Sequence, residues 1–233
     1  MPGVFARVKS AGLDRFGFHV AVEDVQEPAP GFALITLAGE GLTKNVWHPG
    51  DCVKLRTPDD HLRSYTPFDW DESAGRIRLL RGGRAIGPGT HFLSTLSIGA
   101  QVQLLGPKKS VDLNFERAPI IVGDETALGL CGAWAGSHPE SPATVLLEAT
   151  DVDGCRAAAH AVDVNPNSVV STRDDLIARL IELVRASADA PLVLSGCAQT
   201  IAALRAAVKS AELNDGRVIR VKAYWDENRA GLD

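Results

Sequence analysis

The sequence predicts an antiparallel β-barrel over residues 1–117 followed by a parallel-sheet α/β unit over residues 118–233. Two observations carry this fold class. The first half is built of short strands separated by glycine and proline turns, the pattern of a barrel or sandwich. The second half alternates continuous apolar runs with amphipathic helices, the pattern of a doubly wound sheet. The pattern changes at Glu116-Arg117-Ala118-Pro119, and 233 residues suffice for two units of ordinary size.

The elements follow in order. Ala33–Leu37 is an apolar run closed by Gly39 and Gly41, and Cys52–Leu55 follows the turn Pro49-Gly50-Asp51. Arg63-Ser64-Tyr65-Thr66 reads as a further strand, and Arg76–Leu80 is bounded by Gly75 and by Gly82-Gly83. A helical insert is expected from about Gly89 to Leu96, before the strand Val102–Leu105. Beyond Pro119, Ile120–Val122 and Val145–Leu147 are apolar throughout, as strands buried on both faces must be. Asp174–Ser187 places Leu176, Ile177, Leu180, Ile181, Leu183 and Val184 at helical spacing, with Ser171 or Thr172 as N-cap. Pro191–Leu194 is a strand, Ala198–Lys209 a helix and Arg217–Trp225 a closing strand.

Composition narrows the function. The net charge of −5 is uneven, with 14 basic and 13 acidic residues up to 117 against 10 and 16 beyond. An acidic balance without a basic run argues against a nucleic-acid partner. No apolar stretch approaches the roughly 20 residues that cross a bilayer, so no membrane partner is expected. Met1-Pro2-Gly3-Val4 does not open a secretory signal, and a cytoplasmic location is expected. Cys52, Cys131, Cys155 and Cys197 are too scattered for a cluster or a zinc site and read as small buried hydrophobes. The histidines show no ligand spacing either, and no metal site is expected. Arg76, Arg78, Arg81 and Arg84 crowd together after Arg63, which suits an anionic ligand or a solvated strand face alike.

Three short segments carry the candidate chemistry. Arg63 and Tyr65 share a strand face, because side chains alternate with period 2. A guanidinium can clamp a diphosphate with two parallel hydrogen bonds, and a phenol ring can pack on a planar group. Thr66 offers a hydroxyl on the other face or at a bend. Gly87-Pro88-Gly89-Thr90 opens a helix, whose unpaired amides and dipole form a ready anion site, although a plain capped helix would start the same way. Gly123-Asp124-Glu125-Thr126 ends the first strand of the α/β unit, where ligands of open sheets bind, and Ser195-Gly196 repeats that position later. Asp124, Glu125 and Thr126 also suit simple capping of the following helix.

In this order the segments resemble the siderophore-interacting protein family, within the ferredoxin–NADP reductase-like flavoproteins. The resemblance rests on Arg63–Pro67, on Gly87–Thr90 with Ile98-Gly99-Ala100 and Gly106-Pro107, on Gly123–Ala127, and on the closing Ala223-Tyr224-Trp225. It implies a barrel that binds FAD and a parallel-sheet domain that takes NADPH or NADH. Cofactor contacts are implied at Arg63, Ser64, Tyr65, Thr66, Gly87, Pro88, Gly89, Thr90, Gly123, Asp124, Glu125, Thr126, Ser195, Gly196, Tyr224 and Trp225. Among these, Arg63, Gly89 and Thr90 would hold the diphosphate, Tyr65 would pack on the flavin ring, and Thr66 would hydrogen-bond near N5. Gly123–Thr126 and Ser195-Gly196 would border the nicotinamide. The implied activity is reduction of ferric siderophores or other ferric chelates, with ferredoxin as another possible donor or partner. An NAD(P)H:flavin or ferredoxin-linked reductase and a non-catalytic flavin-binding module are the alternatives. Chemistry would lie at flavin N5 with no catalytic side chain. An anionic chelate would need local cations, with Lys54 and Lys222 as candidates. Asp151, Asp153 and Arg156 give no decision between NADH and NADPH.

Overall fold

The structure is a computed structural model and describes residues 17–82 and 88–228. Two sheets account for most of it. Seven antiparallel strands lie in the first half: β1 (Phe18–Ala29), β2 (Phe32–Ala38), β3 (Cys52–Arg56), β4 (Leu62–Tyr65), β5 (Asp69–Asp71), β6 (Arg76–Arg81) and β7 (Gln101–Lys108). Their order is β4-β3-β7-β1-β2-β6-β5. Helix α1 (Pro88–Thr95) is the expected insert, and its Phe92 and Leu93 join Val53, Leu55, Ile77, Leu79 and Leu104 in the core of this sheet.

The second half holds β8 (Ile120–Asp124), β9 (Thr144–Glu148), β10 (Ser168–Val170), β11 (Leu192–Cys197) and β12 (Ile219–Trp225). They pair in parallel in the order β10-β9-β8-β11-β12. Helices α2 (Leu128–Ser137), α3 (Val152–His160), α4 (Arg173–Ala186) and α5 (Ala198–Ser210) connect them. The chain runs outward from β8 in one direction and then returns to the other side at β11. The switch of strand order therefore lies between β8 and β11, at whose carboxyl ends open sheets bind ligands. No helix among the described residues is long and apolar enough to cross a membrane.

One apolar cluster joins the halves. Ala29, Phe32 and Leu34 from the antiparallel sheet and Phe68, just before β5, pack with Leu128, Cys131, Trp134, Cys155 and Ala158 from the helices. Helix α2 is apolar on every side, as a helix enclosed between two layers has to be. Its Gly129 and Gly132 allow the approach. A Cβ at Gly129 would stand 2.7 Å from the Thr66 carbonyl, and one at Gly132 would stand 2.8 Å from Phe68 Cβ. All four cysteines are buried free thiols, as their scatter suggests. Burial pushes the Cys155 thiol up to about 12, which keeps it protonated and unreactive.

Strands β1, β5 and β10 and helix α3 escape the sequence reading. Strand β1 is twelve residues long, but its register shifts between Val22 and Asp24 and again before Ala29. Each shift breaks the period-2 alternation that marks a strand. Helix α3 begins Val152-Asp153-Gly154, which looks like a turn. Asp151 caps it by accepting from the Gly154 amide at 2.9 Å, and a side chain at 154 would collide with that carboxylate.

Candidate functional site

Strand β4 lies at the edge of the antiparallel sheet. Its partner β3 pairs Val53 with Tyr65, Lys54 with Ser64 and Leu55 with Arg63. Val53 and Leu55 are fully buried inward residues, so Arg63 and Tyr65 share that inward face, as alternation predicts. Lys54 and Ser64 stand on the opposite face, which Cys52 shares and which the same alternation continues to Thr66. The structure thus separates Lys54 from the Arg63–Tyr65 face.

The first turn of α1 meets Arg63 and Tyr65 directly. A Cβ on Gly89 would stand 2.7 Å from the Tyr65 hydroxyl and 3.3 Å from Arg63 Cγ. Glycine is what lets the helix start come down on these two side chains. The half-buried Thr90 follows, and the Arg63 guanidinium donates to the Leu62 carbonyl at 3.0 Å. Two segments chosen independently from the sequence therefore form one surface. Pro88 opens the helix, while Gly87 and Arg84 lie outside the described residues. The other arginines of the crowd are held elsewhere: Arg76 grips Glu23 with two nitrogens, and Arg78 lies over the Phe68 ring at 4.8 Å.

At the switch between β8 and β11 the predicted residues interlock. A Cβ on Gly123 would overlap the Ser195 carbonyl, and Gly196, at φ 116°, would press any side chain into the Asp124 carboxylate. Asp124 is 2% exposed and accepts four hydrogen bonds. The donors are the Thr126 amide at 2.9 Å, the Thr126 hydroxyl, the Cys197 amide at 2.8 Å and the Trp225 indole at 2.9 Å. Burial pushes the Asp124 carboxyl above the usual carboxylate range, while the four donors pull it back. Asp124 thus ties the ends of β8, β11 and β12 together. Glu125 is equally buried, with Gly82 packed against it, so Thr126 is the residue of this turn that reaches the surface.

The closing strand joins the two regions. Tyr224 reaches Thr66, 158 residues away in sequence, with 2.5 Å between hydroxyl oxygens. The buried Ser195 lies against the same phenol. Burial raises the Tyr224 pKa well above the usual phenol value. Lys222 places its ammonium over the Tyr224 ring, 5.6 Å from the centroid, and so stands beside this junction. Tyr224 and Trp225 enter the expectations as cofactor contacts. The structure gives each polar tip an internal partner that spacing alone could not reveal, because both partners are distant in sequence.

The residues present fit a dinucleotide on the barrel side. Gly89 brings the start of α1 against the Arg63 stem and the Tyr65 hydroxyl, so a helix N-terminus and a cationic side chain, each of a kind that binds phosphate, lie side by side.

Solved structures share this fold. The siderophore-interacting protein from Acinetobacter baumannii superposes with a TM-score of 0.72 at 16% identity, covering 91% of each chain. A siderophore utilization protein from T. fusca gives 0.71 at 20% identity, over 93% of this chain and 95% of that one. The ferredoxin reductase of carbazole 1,9a-dioxygenase gives 0.70 at 13% identity, over 89% and 68%. No family model matches the sequence, and no curated protein does. The antiparallel sheet and the five-stranded parallel sheet with its helices are those of the ferredoxin reductase-like fold, which siderophore-interacting proteins and ferredoxin reductases share.

Proposed function

We propose that the chain is an FAD-dependent oxidoreductase that passes electrons from NADPH or NADH to a ferric siderophore or another ferric chelate, releasing the iron. One observation carries this reading: the start of α1 comes down on Arg63 and Tyr65, so that an anion site and an aromatic platform adjoin. Arg63, Gly89 and Thr90 would bind the diphosphate, and Tyr65 would pack on the ring. Bound there, the flavin supplies the redox chemistry, accepting a hydride and releasing electrons singly. The chain's own residues bind, orient and exclude water. Thr66 and Tyr224 close the junction of the two halves, and the apolar cluster behind them keeps it dry. The carboxyl ends of β8 and β11, with Thr126 at the surface, form the expected nicotinamide side.

Charge supports an anionic substrate. The chain carries −5 overall, yet Lys222 stands at the junction over Tyr224. A local cation on an acidic protein steers an anionic chelate to one place. Ferric iron held by its own chelator needs no ligand from the protein.

The test is anaerobic. FAD-loaded protein reduced with NADPH is mixed with a ferric siderophore, and released Fe(II) is trapped with a colorimetric chelator. Reoxidation of the flavin in step with Fe(II) release is expected. Reduced protein that leaves the chelate unreduced would overturn the ferric-chelate assignment.

A further inference from the structure

Of the arginines on β6, Arg76 and Arg78 are taken up by Glu23 and by the Phe68 ring, and Arg81 is not. The Arg81 side chain is only 13% exposed, and its Nε is buried with no hydrogen-bond partner among the described residues. Glu27 Oε1 stands 3.9 Å from Nη2, beyond hydrogen-bond reach, and the Glu27 side chain is itself 71% exposed. Such a pairing is worth little. A guanidinium withdrawn from water with so little compensation costs the fold stability, and an arriving anion recovers that cost.

Strand register says where this cation stands. Leu37 pairs with Ile77, Ile35 with Leu79 and Ala33 with Arg81, without a shift. The first two pairs are fully buried in the core of the antiparallel sheet, so Arg81 continues their inward face. That is also the face of Arg63 and Tyr65. Five antiparallel pairings lead from β4 through β3, β7, β1 and β2 to β6. An odd number makes β6 run opposite to β4, so the end of β6 and the start of β4 lie at one end of the sheet. Arg81 closes β6, and Arg63 is the second residue of β4. Helix α1 bridges the two strands, since Gly89 meets Arg63 while Phe92 and Leu93 pack with Ile77 and Leu79.

We propose that Arg81 is a second cation of the site beneath α1 and grips the same diphosphate as Arg63, from the other strand. The proposal rests on the flavin reading above and names the residue that takes the second phosphate. Two guanidinium forks match the two negative charges of a dinucleotide's diphosphate. A mononucleotide fills one fork only, so the pair of arginines selects FAD over FMN.

The test measures FAD affinity of the full-length apoprotein by quenching of flavin fluorescence, and ADP affinity by competition against FAD. Arg81→Met keeps the length of the stem and removes the charge. The expected result is FAD binding weaker by roughly 10- to 100-fold, the effect of a hydrogen-bonded charge, with ADP weakened by a similar factor because the diphosphate is what the two share. The apoprotein should melt no lower than wild type, because a poorly compensated buried charge has been removed. Arg78→Met, which removes an equal charge from the opposite face of β6, should leave both affinities near wild type. Unchanged FAD affinity in Arg81→Met would overturn the proposal. So would a loss confined to FAD and spared for ADP, or an equal loss in Arg78→Met. Should Arg81→Met fail to fold, Arg81→Lys replaces it, and wild-type FAD affinity there overturns the proposal equally. A wild-type chain that takes up no FAD overturns the flavin reading and this proposal with it, whereas the other failures leave that reading standing.

Discussion

Gly89→Ala is the most incisive single change, because the structure states what the added methyl would meet. The new Cβ would stand 2.7 Å from the Tyr65 hydroxyl, with Arg63 Cγ at 3.3 Å and Cδ at 3.4 Å. The arginine stem is flexible and gives way. The phenol sits at the far end of a rigid ring, so relieving the contact means swinging Tyr65 away or lifting the helix start. Overpacking of this kind costs about 1–3 kcal/mol. If the surface formed by Gly89, Arg63 and Tyr65 holds FAD, that strain falls on binding and weakens affinity by roughly 5- to 150-fold, at 1.4 kcal/mol per tenfold. Thermal stability should fall by less than the strain alone implies, since alanine is the better helix former and offsets part of it. The assay is FAD titration of apoprotein, read by quenching of flavin fluorescence. A second substitution sharpens it: Tyr65→Phe deletes the very atom the methyl strikes, so Gly89→Ala with Tyr65→Phe should recover most of the loss. Wild-type FAD affinity in Gly89→Ala alone, or a double variant as weak as the single, would refute the reasoning.

Four further outcomes follow from the same geometry. Arg63→Ala should weaken FAD binding by about 1.5–3 kcal/mol, the value of a charge-assisted hydrogen bond, and Arg63→Lys should recover only part because it lacks the planar fork; titration of the apoprotein reads both. Asp124→Asn turns an amide NH2 toward donors that now share a carboxylate, and should cost about 1–3 kcal/mol for a donor left unsatisfied; an unchanged Tm would show that the carboxyl is already protonated. The Tyr224 pKa is raised on folding, so its contribution is complete below the ordinary phenol value of 10.0 and is lost as pH climbs above it. Melting curves from neutral to strongly alkaline pH should fall more steeply for wild type than for Tyr224→Phe. Lys222→Glu should slow reduction of an anionic ferric chelate, barely affect a neutral one, and lose its effect near 1 M salt, where the Debye length is about 3 Å.

The fold was legible because its two halves use different periods. Turn glycines such as Gly75 and Gly82 bracket short strands, while Ile120–Val122 and Val145–Leu147 are apolar on both faces. The helix over Arg173–Ala186 and its Thr172 cap lie within a residue of their expected places. On the barrel side, Arg63, Tyr65 and Gly89 could be chosen because each needs only local chemistry. What remained illegible depends on partners far along the chain. Nothing near Asp124 in sequence announces Cys197 or Trp225, and nothing near Thr66 announces Tyr224. The turn therefore read as a ligand border, whereas the structure shows Asp124 and Glu125 buried and only Thr126 at the surface. Lys54 was chosen for its closeness to Arg63 along the strands, and strand register sets it on the other face. Lys222 lies on the same side of β12 as Tyr224, because a two-residue step keeps the face.

On the proposed function, a flavin bound on the barrel receives electrons from a nicotinamide on the parallel sheet. The most direct measurement is the visible spectrum of the purified chain after FAD loading and gel filtration, followed anaerobically as NADPH or NADH is added. The expected result is a yellow protein with one flavin per chain that bleaches on addition of a nicotinamide nucleotide and regains colour with a ferric chelate. A chain that emerges colourless from the column, or holds FAD that neither nucleotide bleaches, would contradict it.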